Sequence, residues 1–320
     1  MRSMQILMPN TLNRFKKASL LGGFFVVIFF VLTACKTERA DEQMVFRYNE
    51  PAGIPTLDPA FAKEKSSIWA VQQLYEGLVA LDANNSITPA LAIDWKIDSA
   101  ATVYTFYLRD ARFHNGKTVT AEDVVYSLNR LKDPAVASPG SWVVEGISTC
   151  KAIDASTVEI ELQEPNASFL SLLAMPFCSI IPTGEIALNS TPVGTGPFKF
   201  HVWHYGEKLV LHKNEMYWGI DNAGVQLPYL DGISISFLTD QQSAFLEYLR
   251  GNFDFLPNLD PSFKDDLLTR HGELQERYMA EHTLIRSPFL NTEYLVFNAE
   301  RPLSRELRWA INASIDKAEM

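Results

Sequence analysis

Gly194-Thr195-Gly196-Pro197, followed by Phe198-Lys199-Phe200 and then Leu209-Val210-Leu211-His212, is the stretch that decides the fold. Two closely spaced glycines and a proline make a tight loop, and the apolar runs after it predict two successive strands. Toward the C-terminus, 233–237 and Phe253-Asp254-Phe255 read as further strands of a mixed sheet, with a helix over 241–250 between them. In the other direction, 157–162 sets Val158, Ile160 and Leu162 against acidic residues, the period of a half-exposed strand, and Pro165 ends it. A short helix follows over 168–173. Earlier still, 103–108 alternates Val103, Thr105 and Tyr107 against Tyr104, Phe106 and Leu108, with a companion strand at 95–97 and a turn at His114-Asn115-Gly116.

Two helices are legible in the first half. Ile68, Val71, Leu74, Tyr75 and Leu78 form a helical stripe that predicts a helix over 66–78, after a strand at 45–48 ended by Glu50-Pro51-Ala52-Gly53. Thr120 caps a second helix, with Asp123 at its third position near the positive end of the dipole, and Asp133-Pro134 stops it. Strands and helices interleave without internal repeats, so the fold class is α/β, in the mixed α+β sense.

The 320 residues carry 28 basic and 38 acidic side chains, a formal charge of -10, with 47% apolar residues. That is a globular composition, long enough for two cores, and its acidic balance excludes a nucleic-acid partner recognised by average field. The first 34 residues hold four of the basic groups and no acidic one, so the remainder has 24 basic against 38 acidic, net -14. They read as a signal peptide: a basic stretch ending at Lys16-Lys17, an uncharged run, then Cys35. The run from Leu20 to Leu32 spans ~20 Å as a helix, short for a hydrocarbon core of about 30 Å. Leu32-Thr33-Ala34-Cys35 resembles the lipobox of bacterial lipoproteins, which implies lipidation of Cys35, cleavage before it, and a lipid anchor outside the cytoplasm. Residues 35–43 form a polar tether.

Cys150 and Cys178 remain once Cys35 is lipidated, and an exported chain permits either a disulfide or two buried free thiols. No Cys/His cluster points to a metal, and His201, His204 and His212 read as surface positions on adjacent strands. No nucleophile elbow, zinc helix or Walker loop is present, and Gly194-Thr195-Gly196 lacks the third glycine of a dinucleotide fingerprint. The sequence therefore offers no catalytic residue, no metal site and no cofactor.

An ordered series of short motifs carries a resemblance. It comprises Leu57-Asp58-Pro59, Leu74-Tyr75-Glu76-Gly77-Leu78, Pro89-Ala90-Leu91-Ala92 with Trp95, Tyr104-Thr105-Phe106 with Leu108-Arg109-Asp110, and Phe113-His114-Asn115-Gly116 with Thr120-Ala121-Glu122-Asp123-Val124. It continues with Val193-Gly194-Thr195-Gly196-Pro197-Phe198, Asn214 with Tyr217-Trp218, Gly251-Asn252-Phe253-Asp254, Arg305 with Arg308-Trp309-Ala310-Ile311, and Ile315-Asp316-Lys317. In this order the set resembles solute-binding protein family 5, the binding lipoproteins of peptide and nickel ABC importers. The resemblance implies a periplasmic binding protein-like fold with a bilobal cleft, in which 44–80 plus 193–298 form lobe I, 81–192 an inserted lobe II, and 299–320 the start of a third lobe that is largely missing. Gly194 and Gly196 are expected to supply backbone angles forbidden to other residues where the chain crosses between lobes.

By the same resemblance the protein is not an enzyme. It captures oligopeptides, dipeptides or a related small solute by lobe closure and delivers them to an ABC permease, as a monomer held in the cell envelope. Lys63, Trp142 and Tyr294 are its candidate ligand contacts. The alternative is a truncated, non-transporting envelope protein that binds another protein.

Overall fold

The computed structural model describes residues 43–185, 187–257, 261–286, 294–298 and 300–316. Cys35 and the signal segment lie outside the described residues. The chain divides after residue 258 into two compact units.

The first unit contains two cores. Strands β1 (Val45–Asn49), β8 (Phe198–His204), β9 (Lys208–Lys213) and β10 (Gly232–Ser236) form a sheet in the order β1-β10-β9-β8, with β1 parallel to β10 and the other pairs antiparallel. Ile233 stands opposite both Phe46 and Leu211. Helix α1 (Lys65–Leu74) packs on this sheet through Ala70, Val71 and Leu74, and Leu57, Leu209, Leu211 and Ile235 complete a core in which all seven are fully buried. Each buried Leu or Ile of this kind contributes about 1.5–3 kcal/mol.

The second core belongs to the chain between the halves of that sheet. Strands β4 (Ala92–Ile97), β5 (Val103–Leu108), β6 (Ile147–Ala152) and β7 (Thr157–Leu162) make an antiparallel sheet ordered β4-β5-β7-β6. A small hairpin of β2 (Val79–Leu81) and β3 (Ile87–Pro89) leads into it. Tyr104, Phe106 and Leu108 are buried, as are Val158, Ile160 and Leu162, so the alternation read from sequence selects the core face. Helix α2 (Ala121–Lys132) covers that face with Val124, Leu128 and Leu131, and short α3 (Phe169–Leu173) adds Phe169 and Leu173. The capping box on α2 is present: Thr120 N–H and Oγ1 both donate to Asp123 Oδ2, at 2.9 and 2.8 Å. Helix α4 (Gln241–Leu249) follows β10, capped by Asp240.

Two elements differ from expectation. The first helix stops at Leu74, not Leu78, because carbonyls past that point serve other segments: Leu74 O accepts from Gly196 N, Glu76 O from Ile180 N, and Leu78 O from Ala92 N. Tyr75 and Leu78 are buried all the same, since this extended stretch runs between the two cores. At 253–255 a single parallel bridge, Tyr48 to Phe255, replaces the expected strand. Asp254 breaks the ladder by accepting Arg47 N–H with its side chain at 2.7 Å, while Asp254 N–H donates to Arg47 O at 2.7 Å.

In the second unit, α5 (Lys264–Leu267) and α6 (Arg305–Ser314) are the α-helices among the described residues. Ser304 caps α6, its Oγ accepting from Leu307 N at 3.2 Å. Leu267 is the sole buried residue described there.

Candidate functional site

The polar chemistry of the first unit gathers at the seam where the chain passes between its cores. Glu76 sits there on the extended stretch after α1. Its carboxylate accepts from Tyr217 Oη and Trp218 Nε1, each at 2.9 Å. Burial raises the Glu76 pKa, opposed by these two hydrogen bonds and by the nearby Arg109 cation. Arg109, just past β5, lays its guanidinium 3.3 Å from the Trp218 ring centroid and donates Nε to Ala90 O at 2.5 Å. Trp218 thus joins the cores through its face and its N–H as well as by packing.

The return crossing is equally close. A Cβ on Gly194 would lie 2.0 Å from Leu74 O, and one on Gly196 2.5 Å from Gln73 O. Neither glycine has positive φ, so close backbone approach, rather than an unusual angle, requires them. His114 clips this crossing: its N–H donates to Gly194 O at 2.8 Å, Nδ1 accepts from Gly194 N at 3.2 Å, and Nε2 donates to Gly196 O at 3.1 Å. Burial lowers the His114 pKa to about 4, with Lys199 adding to the effect and the Gly196 bond opposing it.

The turn that bears Lys63 lies in the same seam. Asp58 caps a 3-10 turn over Pro59–Phe61, and the core assignments alternate along it: Leu57 and Ala62 belong to the first core, Ala60 to the second. Asn189 Oδ1 accepts from Thr56 Oγ1, Leu57 N and Asp58 N at 2.9, 2.8 and 3.2 Å. Arg130, in the last turn of α2, grips Asp58 with two hydrogen bonds of 2.9 and 2.6 Å, and Ser138 Oγ donates to Ala60 O at 2.5 Å. Lys63 itself is exposed, its Nζ 3.8 Å from the Glu64 carboxylate.

Trp142 lies in a 3-10 turn over Ser141–Val144, half exposed at the mouth of a cavity of 280 Å³ walled by Val143, Ile147, Leu162 and Phe169. Tyr294 belongs to the second unit and is 76% exposed. The pairing of Cys150 with Cys178 does not form, and both are free thiols. Cys150 sits on edge strand β6, whereas Cys178 lies in a turn beside Gly77 at the seam. Burial pushes each thiol up to about 12. His201 and His212 are surface positions whose rings stack with centroids 3.9 Å apart. A groove of 1030 Å³ runs over the outer face of the first sheet, past Arg47, Lys199, His212 and Ser234. Among the described residues no three His, Cys, Asp or Glu gather in a metal-binding geometry, and no helix is long and apolar enough to cross a membrane.

Sequence reading flagged Asp58, Glu76, Arg109, His114 and Trp218 as motif members without giving them partners. Arg130 and Asn189 escaped it: an arginine in the last turn of a helix has a sufficient local reason in the helix dipole, and no spacing links it to a carboxylate 72 residues earlier.

A sheet lobe interrupted by a second sheet-and-helix core is the architecture of periplasmic binding proteins, and solved members superpose on it. The family model "Bacterial extracellular solute-binding proteins, family 5 Middle" matches residues 86–320, and the chain belongs to that family. It is 30% identical over 298 residues to the probable deoxycholate-binding periplasmic protein YgiS of Escherichia coli K12, covering 83% of this chain and 52% of that protein. It is 28% identical over 312 residues to the periplasmic murein peptide-binding protein MppA of the same strain, covering 89% and 55%. Among solved structures, DppA from Helicobacter pylori in complex with peptide STSA gives a TM-score of 0.64 at 29% identity over 70% of this chain and 48% of that one. The chain spans about half the length of the curated relatives it matches.

Proposed function

We propose that this protein is the substrate-binding lipoprotein of an ABC importer that takes up peptides. The match to family 5 over residues 86–320, together with superposition on a peptide-bound relative, carries this reading. The lobes are those read from sequence: 44–80 with 193–298, the insertion 81–192, and a third lobe opening at 299. Ligand favours the closed arrangement of lobes by its differential affinity for that state, and the closed form docks on the permease. Main-chain hydrogen bonds hold an extended peptide, and wet pockets receive its side chains. Lys63 supplies a cation for a carboxylate, and Trp142 and Tyr294 supply aromatic surface. No bond is broken, so the protein has no catalytic role. Cys35 bears the lipid that keeps a monomeric protein at the outer side of the cytoplasmic membrane or within the envelope.

The test is ligand-induced stabilisation of the protein extracted from membranes, with mixed di- to tetrapeptides, glutathione and deoxycholate compared. At a hundred times Kd a ligand adds about 2.7 kcal/mol, a shift of several degrees. Stabilisation by peptides alone supports the reading; stabilisation by deoxycholate alone overturns the peptide assignment. Intact mass of the same sample tests lipidation at Cys35.

A second reading is favoured by one observation: Tyr294, Leu295 and Val296 are 76%, 63% and 78% exposed. Such a run suits capture of another envelope protein. Failure of every solute to stabilise the protein, with a stoichiometric partner recovered by crosslinking through this run, would establish it instead.

A further inference from the structure

We propose that Arg130 is a positioning residue for ligand capture: its paired hydrogen bonds to Asp58 fix the turn that presents Lys63, so that a helix of the inserted core helps set the affinity at Lys63, which it does not carry. The proposal rests on the reading of Lys63 as ligand-facing.

A helix-end arginine serving only the dipole would extend into water. Arg130 instead has a side chain 17% exposed, and it meets a carboxylate 8% exposed in a two-point fork. The surface pair of Arg47 with Asp254, 47% and 35% exposed, shows what a solvated counterpart looks like in this fold. Asp58 Oδ1 also accepts Ala60 N at 3.0 Å, so one carboxylate ties the α2 guanidinium to the backbone of the turn. From there the chain has no freedom before Lys63. Phe61 N bonds Asp58 O, Ala62 N bonds Pro59 O, and Lys63 N bonds Phe61 O at 2.9 Å, with Ala60 and Ala62 locked in opposite cores. Lys63 is the first residue to emerge, and its Cα inherits the position of the turn. Among the anchors of this turn, Arg130 is the charged one. Removing it leaves the buried Asp58 carboxyl without its two guanidinium hydrogen bonds, and the turn must open toward water to replace them. Asn189 and Ser138 hold by neutral hydrogen bonds, whose loss exposes no charge.

The experiment uses the full chain with three variants: Arg130→Met, Arg130→Lys, and Val158→Ala as a control that loosens the second core while leaving the Arg130–Asp58 pair in place. Amide exchange at Ala60–Lys63 is followed by NMR, and trialanine and tetra-alanine binding by calorimetry. Arg130→Met is expected to speed exchange of these four amides and to weaken peptide binding, each by at least about tenfold, beyond what its melting point explains. Arg130→Lys, keeping charge without the fork, should fall between, and it carries the comparison if Arg130→Met does not fold. Val158→Ala should leave both readouts within about twofold of wild type at 25 °C. Unchanged exchange at the turn in Arg130→Met overturns the proposal, as does equal weakening of binding by Val158→Ala. If the wild type binds neither peptide, the peptide reading fails separately, and amide exchange still decides whether Arg130 holds the turn.

Discussion

His114 illustrates how one side chain makes the seam sensitive to acid. Its Nδ1 must stay bare to accept Gly194 N–H, so protonation there sets two N–H groups against each other. The folded pKa is about 4 against 6.5 for the ordinary side chain. From pH 6.5 down to 4 the unfolded chain therefore binds a proton that the folded chain refuses, and stability falls across that window by up to about 3 kcal/mol. Urea titrations at pH 7 and pH 4.5 should show the loss, and His114→Gln should flatten it. Gly194→Ala drives a methyl into a backbone carbonyl and is expected to cost more than about 3 kcal/mol or to prevent folding, whereas Gly146→Ala, with nothing within 4 Å, should stay within about 1 kcal/mol of wild type by thermal melt. Sequence alone marks His114 and Gly194 as members of a pattern. Which atoms they meet depends on segments 80 residues apart, and no local spacing carries that information.

At the level of elements, legibility follows the strength of the period. Helix α2 has a cap, an apolar stripe and a proline stop, and β5 and β7 alternate over six residues each, so all three stand where the sequence puts them. Strand β6 was invisible because Ile147 alone among its six residues is buried, and the β2–β3 hairpin because three residues show no period. The misplaced end of α1 has another cause: tertiary hydrogen bonds claim its would-be last carbonyls, and tertiary context overrides a valid local stripe. Asp123 has more to lose than an ordinary cap, since its Oδ1 also accepts Thr183 N and Oγ1, at 2.8 and 2.9 Å. Asp123→Ala should thus destabilise by about 2–3 kcal/mol, against about 1 kcal/mol for Thr120→Ala, in chemical denaturation at pH 7.

Across the whole molecule, the two cores of the first unit share three crossings and the Glu76 and Asp58 networks. They are expected to unfold together, with amides of β7 and β9 exchanging at the same limiting rate; separate limits would show the seam to be weaker than its parts. The second unit contrasts with it. Leu267 is its one buried described residue, while Leu307 and Trp309 on α6 are 47% and 62% exposed. Such surface is expected to bind an apolar dye, and dye silence of the native protein would count against this. The crossing at Gly194 and Gly196 could be read from the sequence because two closely spaced glycines mark it. The ligand could not, since relatives named for deoxycholate, murein peptide and glutathione share the scaffold.

The two free thiols carry a consequence for chemical labelling. With both held near 12, neither Cys150 nor Cys178 offers thiolate to an oxidase or isomerase at neutral pH. The folded protein should therefore resist alkylation of both thiols by iodoacetamide at neutral pH, and rapid labelling of the native protein would count against this.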